Sequence, residues 1–177
     1  MIELGSDIPA NAPPMKDWMN YLPFVFSQTT SLAAELKRPV RKVSIDIVHP
    51  AWGPRFLALW HRDGTGLKIF SQMHDIAERS EIGVLNFEKA DAPADDETMV
   101  DVSAAFDCNV EAFKLILDEE GTRAECGLAL QANNGDQITI VPGAFPYSLA
   151  ILGVFASTPH IFEPEYQLDR YTRVPIT

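Results

Sequence analysis

The carboxylates of one acidic segment are the residues in this chain with the clearest capacity for chemistry. Such a density of carboxylates can bind a cation or present an anionic surface to a basic partner. The segment lacks the central glycine and the terminal bidentate Glu of an EF-hand loop, so that kind of calcium site is not predicted. We expect either a solvated loop or an interface that mimics phosphates. The residues are Asp91, Asp95, Asp96, Glu97 and Asp101.

A second acidic patch follows at Asp118, Glu119 and Glu120. It would extend the first surface if the strands between them bring this turn close to the acidic segment. The sequence therefore predicts a protein-binding surface made of these carboxylates, and it predicts no catalytic residue.

Other chemistry-bearing residue types lack the spacing that reactions or cofactors need. Gly64-Thr65-Gly66 resembles the start of a dinucleotide fingerprint, but Ile69 stands in place of the third glycine, and a hairpin turn is the better interpretation. Ser148 is not flanked by glycines, which excludes a nucleophile elbow. We expect no metal and no cofactor, because the four histidines are far apart in the chain. They are His49, His61, His74 and His160.

Two cysteines, Cys108 and Cys126, are too few for a disulfide framework. In a reducing compartment each is expected to be a free thiol and a small buried hydrophobe. Burial raises the pKa of a thiol, so Cys126 is not predicted to be a nucleophile.

The net charge of −11 favours some classes of binding partner over others. An anionic surface repels phosphate backbones, so nucleic acid is not an expected ligand, whereas a cationic protein would be attracted. No membrane span is expected, because the longest apolar run, 141–156, contains two prolines and is shorter than the ~20 residues needed. Glu3 and Asp7 are unlike the basic start of a signal peptide, which predicts a cytoplasmic protein.

A β-hairpin over 125–143 is the most legible structural element. Alternating apolar residues on both sides of Asn133-Asn134-Gly135 predict two antiparallel strands. A three-residue loop pairs Leu130 with Ile138 and Leu128 with Ile140, so that apolar side chains share a face, and it gives Gly135 the left-handed conformation.

Further strands are predicted by the same alternation. The segments are 43–47, 56–62, 67–72, 82–87 and 100–106. For 110–117 both helix and strand spacing occur, and strand is preferred, while 73–79 fits either a helical turn or a continued strand.

Helix is predicted in one or two pieces over 15–36, divided by Pro23, with Thr30 or Ser31 as the N-cap of the second piece. A further helix is predicted beyond Pro146. The sum is a single α+β domain over 1–177, with a largely antiparallel β-sheet and one or two helices packed on one face. Residues 1–14 are expected to form an extended arm, and 162–177 an extended C-terminal tail anchored by aromatic residues.

Several short motifs resemble a group of small acidic bacterial proteins similar to immunity proteins of polymorphic or contact-dependent toxin systems. The resemblance spans most of 43–175 and brings no catalytic residues. It implies stoichiometric inhibition of a toxin domain by occlusion of its surface. The motifs are Asp63-Gly64 with Leu67 and Ile69, the segment 81–87, the run 125–150, and Pro164-Glu165-Tyr166 with Tyr171, Arg173 and Val174.

Two functions from different classes therefore follow from the sequence. The first is an intracellular acidic binding protein of the immunity type, whose partner is a cationic toxin domain. The alternative is a small-molecule binding or enzymatic domain with a pocket near His49, Trp52 and Trp60.

Overall fold

A computed structural model describes residues 20–46, 52–93, 95, 97–153 and 163–177. These residues form twelve strands, one α-helix (α1, Leu32–Leu36) and two 3-10 turns (Ala104–Asp107 and Leu168–Arg170). The strands are β1 (Asn20–Leu22), β2 (Val25–Phe26), β3 (Lys42–Ile45), β4 (Phe56–Trp60), β5 (Gly66–Ala77), β6 (Ser80–Ala90), β7 (Thr98–Asp101), β8 (Val110–Glu119), β9 (Thr122–Ala132), β10 (Gln137–Pro142), β11 (Leu149–Gly153) and β12 (Thr172–Pro175).

The strands are arranged in two six-stranded sheets. The N-sheet has the order β2-β6-β5-β4-β3-β7, and the C-sheet has the order β11-β10-β9-β8-β12 with β1 against β9. Neighbouring strands are antiparallel except for β1 with β9 and β2 with β6, which are parallel. Leu57 and Ile69 of the N-sheet belong to the same buried cluster as Leu128 and Ile140 of the C-sheet. The two sheets therefore share one hydrophobic core, whose burial is the main stabilising term.

The prediction of one or two packed helices is only partly right, since the described chain is mainly β. Helix α1 begins after Ser31, as predicted, but residues 20–22 form β1 instead of helix. Residues 149–153 form β11, so the helix predicted beyond Pro146 is wrong. In both places apolar residues are paired in a sheet, and this tertiary pairing outweighs the local spacing.

The predicted hairpin register is confirmed in β9 and β10. Leu130 lies opposite Ile138 and Leu128 lies opposite Ile140. Gly135 has φ +90°, and its N–H donates to the carbonyl of Ala132 at 3.0 Å, which closes the three-residue loop. Predicted strands at 56–62, 67–72 and 82–87 are also confirmed, and 73–77 continues β5.

The C-terminal segment is extended and anchored by aromatic side chains, as expected for a tail. Residues 163–177 include β12, which pairs with β8. Tyr166 and Tyr171 pack against the buried cluster that contains Cys126. The arm predicted for 1–14 lies outside the described residues.

Both cysteines are free thiols, but only one is buried. Burial raises the pKa of Cys126 far above its ordinary value, which agrees with an unreactive thiol. Cys108 is exposed, so the expectation of burial is wrong for it. It follows a 3-10 turn at the surface, where its neighbours do not cover it.

A buried carboxylate connects the two sheets. Glu125 of β9 is 1% exposed and accepts hydrogen bonds from the hydroxyl of Tyr21, the N–H of Phe24 at 2.7 Å and the ammonium of Lys114. Phe24 in turn packs edge-on against Phe87 of the N-sheet, with 4.9 Å between ring centroids. A charge so deeply buried is tolerated because donors surround it.

Substitution of this carboxylate should be costly. We expect Glu125→Gln to lower the free energy of unfolding by about 3 kcal/mol, because it leaves Lys114 without its counter-charge in a partly buried position. Chemical denaturation with urea measures the change. The control Glu111→Gln, at an exposed position of β8, should change stability by less than about 0.5 kcal/mol. Equal stabilities of the two variants would contradict the role given to Glu125.

A candidate protein-binding cleft

A cleft of about 400 Å³ lies between the end of the β5–β6 hairpin, the turn after β10 and the C-terminal segment. Among the described residues, its lining contains four carboxylates and one cation, Arg79. No described Lys or Arg side chain lies within ion-pair distance of these carboxylates. The cleft is therefore an anionic concavity. The carboxylates are Asp75, Glu78, Glu81 and Glu165.

A β-bulge in β5 lies beside two acidic residues that line the cleft. The bulge lies between Asp75 and Ala77, and its extra residue, Ile76, packs into the buried cluster around Cys126. Asp75 is directly opposite Glu81 on the neighbouring strand. Like charges in this arrangement repel each other and destabilise the hairpin.

Glu165 lies on the opposite side of the cleft, on the C-terminal segment. Its N–H donates to the carbonyl of Pro142 at 2.9 Å, and the carbonyl of Glu163 accepts from Ala144 at 2.8 Å. Burial raises the pKa of the Glu165 carboxyl and the nearby charge of Glu81 raises it further, while the N–H of Gly83 acts in the opposite direction. The Oε2 atom of Glu165 is buried without a hydrogen-bond partner among the described residues.

A close approach between Gly83 of β6 and Pro142 of β10 holds the hairpin against the turn that borders the cleft. A Cβ atom on Gly83 would lie 2.7 Å from the Cβ of Pro142 and 2.6 Å from the Oγ of Ser71. Glycine at this position therefore lets β6 pass directly against the end of β10, where the turn that borders the cleft begins.

Two aromatic residues of that turn are exposed beside the cleft. Ala144 and Pro146 line the cleft, while Phe145 and Tyr147 are 49% and 60% exposed. Tyr147 has φ +62°, and the N–H of Ser148 donates to the carbonyl of Phe145 at 3.0 Å. Pro146 followed by a left-handed residue is the pattern of a type II turn, in which glycine is the usual third residue. A bulky tyrosine is therefore held there at an energetic cost.

Three residues of the predicted acidic segment are exposed, but the structure does not bring them together. Asp91, Asp95 and Asp101 are exposed, and no described cation is paired with them. Glu97 instead accepts a hydrogen bond from Ser44, and Asp96 lies outside the described residues. Asp91 follows β6, whereas Asp101 ends β7, which is four strand spacings or about 19 Å away in the N-sheet, so these residues do not form one continuous surface.

The second predicted patch is far from the first and is largely neutralised. Asp118 forms an ion pair with Arg123 at 2.8 Å, and Glu119 forms one with Arg170. Glu120 accepts a hydrogen bond from Ser80 at the start of β6, whereas the acidic segment follows the end of β6. An extended strand of 11 residues is about 35 Å long, so the two patches do not form one surface.

A smaller cleft of about 300 Å³ lies near α1, and charged residues that line it form ion pairs with one another. Glu35 contacts Arg38 at 2.9 Å and Lys89 at 3.0 Å, and Arg38 also contacts Asp63 at 2.7 Å. Asp91 of the acidic segment lines its edge. Because these charges compensate each other, we assign this cleft to the attachment of α1 to the N-sheet.

The pocket predicted near His49, Trp52 and Trp60 has no counterpart in the two clefts described above. His49 lies outside the described residues, and Trp52 is 57% exposed. Trp60 is 5% exposed, and its indole N–H donates to the hydroxyl of Ser44 at 2.7 Å. Trp60 is thus a satisfied core residue.

Within the described ranges, no group of three or more His, Cys, Asp or Glu side chains could hold a metal ion. Nor does any helix there have the length and apolarity to cross a membrane. The sequence missed the cleft because 73–81, 143–146 and Glu165 are far apart in the chain. Tyr147 after Pro146 was the one local signal, since glycine is usual at that point of a turn.

No protein-family model, curated protein or solved structure matches this chain. Function must therefore be inferred from the arrangement of its own residues.

The Glu165 carboxyl should make stability depend on pH. Because its pKa is higher in the folded protein than in the unfolded chain, the folded state binds the proton more tightly. Stability is therefore greatest below the ordinary pKa and declines as the pH rises through the folded-state pKa. We expect Glu165→Gln to raise the midpoint of thermal unfolding at neutral pH and to give no gain below about pH 4.

The exposed Glu163 supplies a matched control two residues earlier. Glu163→Gln should give no such pH-dependent gain when both variants are followed by calorimetry. A gain for Glu165→Gln that persists unchanged at acidic pH would show that titration is not its cause.

The left-handed turn gives a separate expectation. Tyr147→Gly relieves the steric strain, whereas Tyr147→Ala removes the ring and keeps the strain. We expect the glycine variant to be more stable than the alanine variant by about 1 kcal/mol in urea denaturation. A more stable alanine variant would contradict a left-handed Tyr147.

Proposed function

We propose that this chain is an acidic binding protein of the immunity type. In this proposal it inhibits a cationic bacterial toxin domain in a one-to-one complex by covering an essential surface. The proposed location is the cytoplasm of the cell that it protects, and its two free thiols fit a reducing compartment.

The observation that carries the proposal is the difference between carboxylates that form ion pairs with cations of the chain and carboxylates that do not. Those that hold the fold together have cationic partners within the chain, as Glu125 has Lys114 and Asp118 has Arg123. No ion pair joins a described cation to the cleft carboxylates or to Asp91 and Asp95 of the acidic segment. The fold therefore does not use these carboxylates in ion pairs among its described residues.

Such surfaces favour a basic protein over other partners. Complementary charge accelerates encounter and excludes anionic molecules, including nucleic acids. The exposed rings of Phe145 and Tyr147 beside the cleft supply the aromatic contact that anchors protein interfaces. Charge would thus guide the partner, and the aromatic turn would hold it.

A toxin-protection assay tests the proposal. The chain is co-expressed in bacteria with a panel of basic toxin domains, and growth of the cells is measured. Any complex that forms is then purified, and its stoichiometry is determined by light scattering. We expect rescue by a one-to-one complex, with an association rate that falls steeply as salt is added. Failure to rescue growth or to form a complex with any basic domain would contradict the proposal.

Charge reversal on the acidic segment tests the proposal quantitatively, through the rate of association with the toxin domain. Asp91→Lys with Asp95→Lys should slow association by about tenfold or more at low salt and flatten its salt dependence. The control Glu111→Lys with Asp169→Lys changes the net charge equally at exposed sites elsewhere. Equal slowing in both variants would show that only overall charge matters, and that the acidic segment does not face the partner.

A further inference from the structure

We propose that Asn134 is a site of spontaneous covalent modification, at which the backbone nitrogen of Gly135 displaces the side-chain amide as ammonia. Water then opens the resulting succinimide ring to aspartate or isoaspartate. This inference concerns the loop between β9 and β10 and is independent of the proposed function.

Asn134 and Gly135 lie at the exposed tip of this loop. The ring forms when the nitrogen of the next residue attacks the Cγ atom of the asparagine, so a side chain on that next residue obstructs the approach. Glycine has no side chain, and a Cβ atom at position 135 would meet no atom of the described residues within 4 Å. The attacking nitrogen is therefore unobstructed, and water can reach the loop.

The loop holds the Asn134 side chain close to this nitrogen. Its Oδ1 atom accepts a hydrogen bond from the N–H of Asp136 at 2.9 Å, and its Nδ2 atom donates to Oδ2 of Asp136 at 2.8 Å. The first of these bonds is that of an Asx turn, in which the side chain folds back over the following peptide bond. The Cγ atom of Asn134 is thereby kept beside the peptide bond to Gly135, which shortens the search for a reactive geometry.

The backbone N–H of Asp136 also favours the transition state. Negative charge develops on Oδ1 of Asn134 as the nitrogen adds to Cγ, and an N–H that already points at this oxygen stabilises the charge. The N–H of Gly135 donates to the carbonyl of Ala132 at 3.0 Å, and this hydrogen bond must open before the attack. It opens readily, because water can replace either partner at an exposed loop tip.

Water is the only co-reactant that the reaction needs. The Gly135 nitrogen gives its proton to solvent and bonds to Cγ, while the Cγ–Nδ2 bond breaks and Nδ2 leaves as ammonia with a proton from solvent. Water then adds to one of the two ring carbonyls and breaks the bond of that carbonyl to nitrogen. Cleavage at Cγ gives aspartate, whereas cleavage at the main-chain carbonyl gives isoaspartate, in which the peptide link runs through Cγ.

The product changes how the loop is attached to the rest of the fold. The Oδ2 atom of Asp136 also accepts from the hydroxyl of Ser103 at 2.8 Å, and Ser103 is the N-cap of the 3-10 turn Ala104–Asp107. A carboxylate at position 134 has no N–H to donate to Asp136 and repels it. We therefore expect the modification to loosen the contact between the loop and this turn, and isoaspartate also lengthens the loop backbone.

Incubation of the full chain at mildly alkaline pH, followed by peptide mapping with mass spectrometry, tests the inference. Fragmentation at N–Cα bonds distinguishes isoaspartate from aspartate. We expect replacement of NH2 by OH at position 134, with isoaspartate among the products and heavy oxygen incorporated from labelled water. Asn133 and Asn109 are exposed internal controls that should stay intact, because the residues after them, Asn134 and the β-branched Val110, carry side chains.

Three variants separate ring formation from direct hydrolysis and from its consequence. Gly135→Ala should slow the reaction by about tenfold or more, because its Cβ atom crowds the attacking nitrogen, while the amide spectrum confirms the fold. Asn134→Gln should prevent it, since the longer side chain would have to close a larger ring. Asn134→Asp reproduces the new charge and should shift the amide resonances of Ser103 and Ala105 in the same direction as incubation of the unmodified chain does.

Several outcomes would overturn the inference. Aspartate without isoaspartate would show direct hydrolysis in place of ring formation, as would an unchanged rate in Gly135→Ala. Equal modification of Asn109 and Asn134 would show that the loop confers no selectivity. An Asn134 that stays intact in the folded protein for a time in which the urea-unfolded chain is converted would show that the native loop prevents the reaction. Unchanged Ser103 and Ala105 resonances in Asn134→Asp would overturn the proposed loosening of the 3-10 turn.

Discussion

The buried carboxylate of Glu125 is the interaction on which the arrangement of the two sheets depends. It lies on β9 of the C-sheet, and it accepts hydrogen bonds from Tyr21, Phe24 and Lys114. The segment from β1 to β2 leaves the edge of β9 and joins the edge of β6, so it belongs to both sheets. Without a charged acceptor at position 125, the N–H of Phe24 and the ammonium of Lys114 would lose their partner at the point where the chain crosses between sheets.

The cleft follows from this arrangement of long hairpins. β5 and β6 extend beyond the part of the N-sheet that their neighbours cover, and Gly83 lets β6 pass against Pro142. The C-terminal segment then bridges Gly143 through Pro164 and places Glu165 opposite the hairpin. Three segments that are distant in sequence thus meet at the cleft, and two of them, the hairpin and the C-terminal segment, contribute its carboxylates. The resulting repulsion is tolerated because the core beneath supplies the stability.

The local sequence pattern was sufficient to predict strand register in the hairpin, because only one register buries all of its apolar side chains on the same face. Leu128 and Leu130 could only be buried together with Ile138 and Ile140 if the loop had three residues, and the sheet has that register. The acidic segment could likewise be recognised in the sequence from its density of Asp and Glu residues. Helix was overpredicted because β1 and β11 are apolar segments whose strand conformation depends on partners far along the chain. The Glu125 network and the cleft were missed for the same reason, because Lys114, Pro142 and Glu165 become neighbours only after folding.

The length of β6 has a consequence for stoichiometry and geometry. Its two ends lie beside Asp91 of the acidic segment and beside the cleft, about 35 Å apart along one continuous strand. A domain of 100 residues has a radius of gyration of about 13 Å, so it can reach both ends only by lying lengthwise beside the strand. A smaller ligand would engage one end and leave the other vacant. A partner with two linked basic segments would gain avidity only if the linker between them spans this distance.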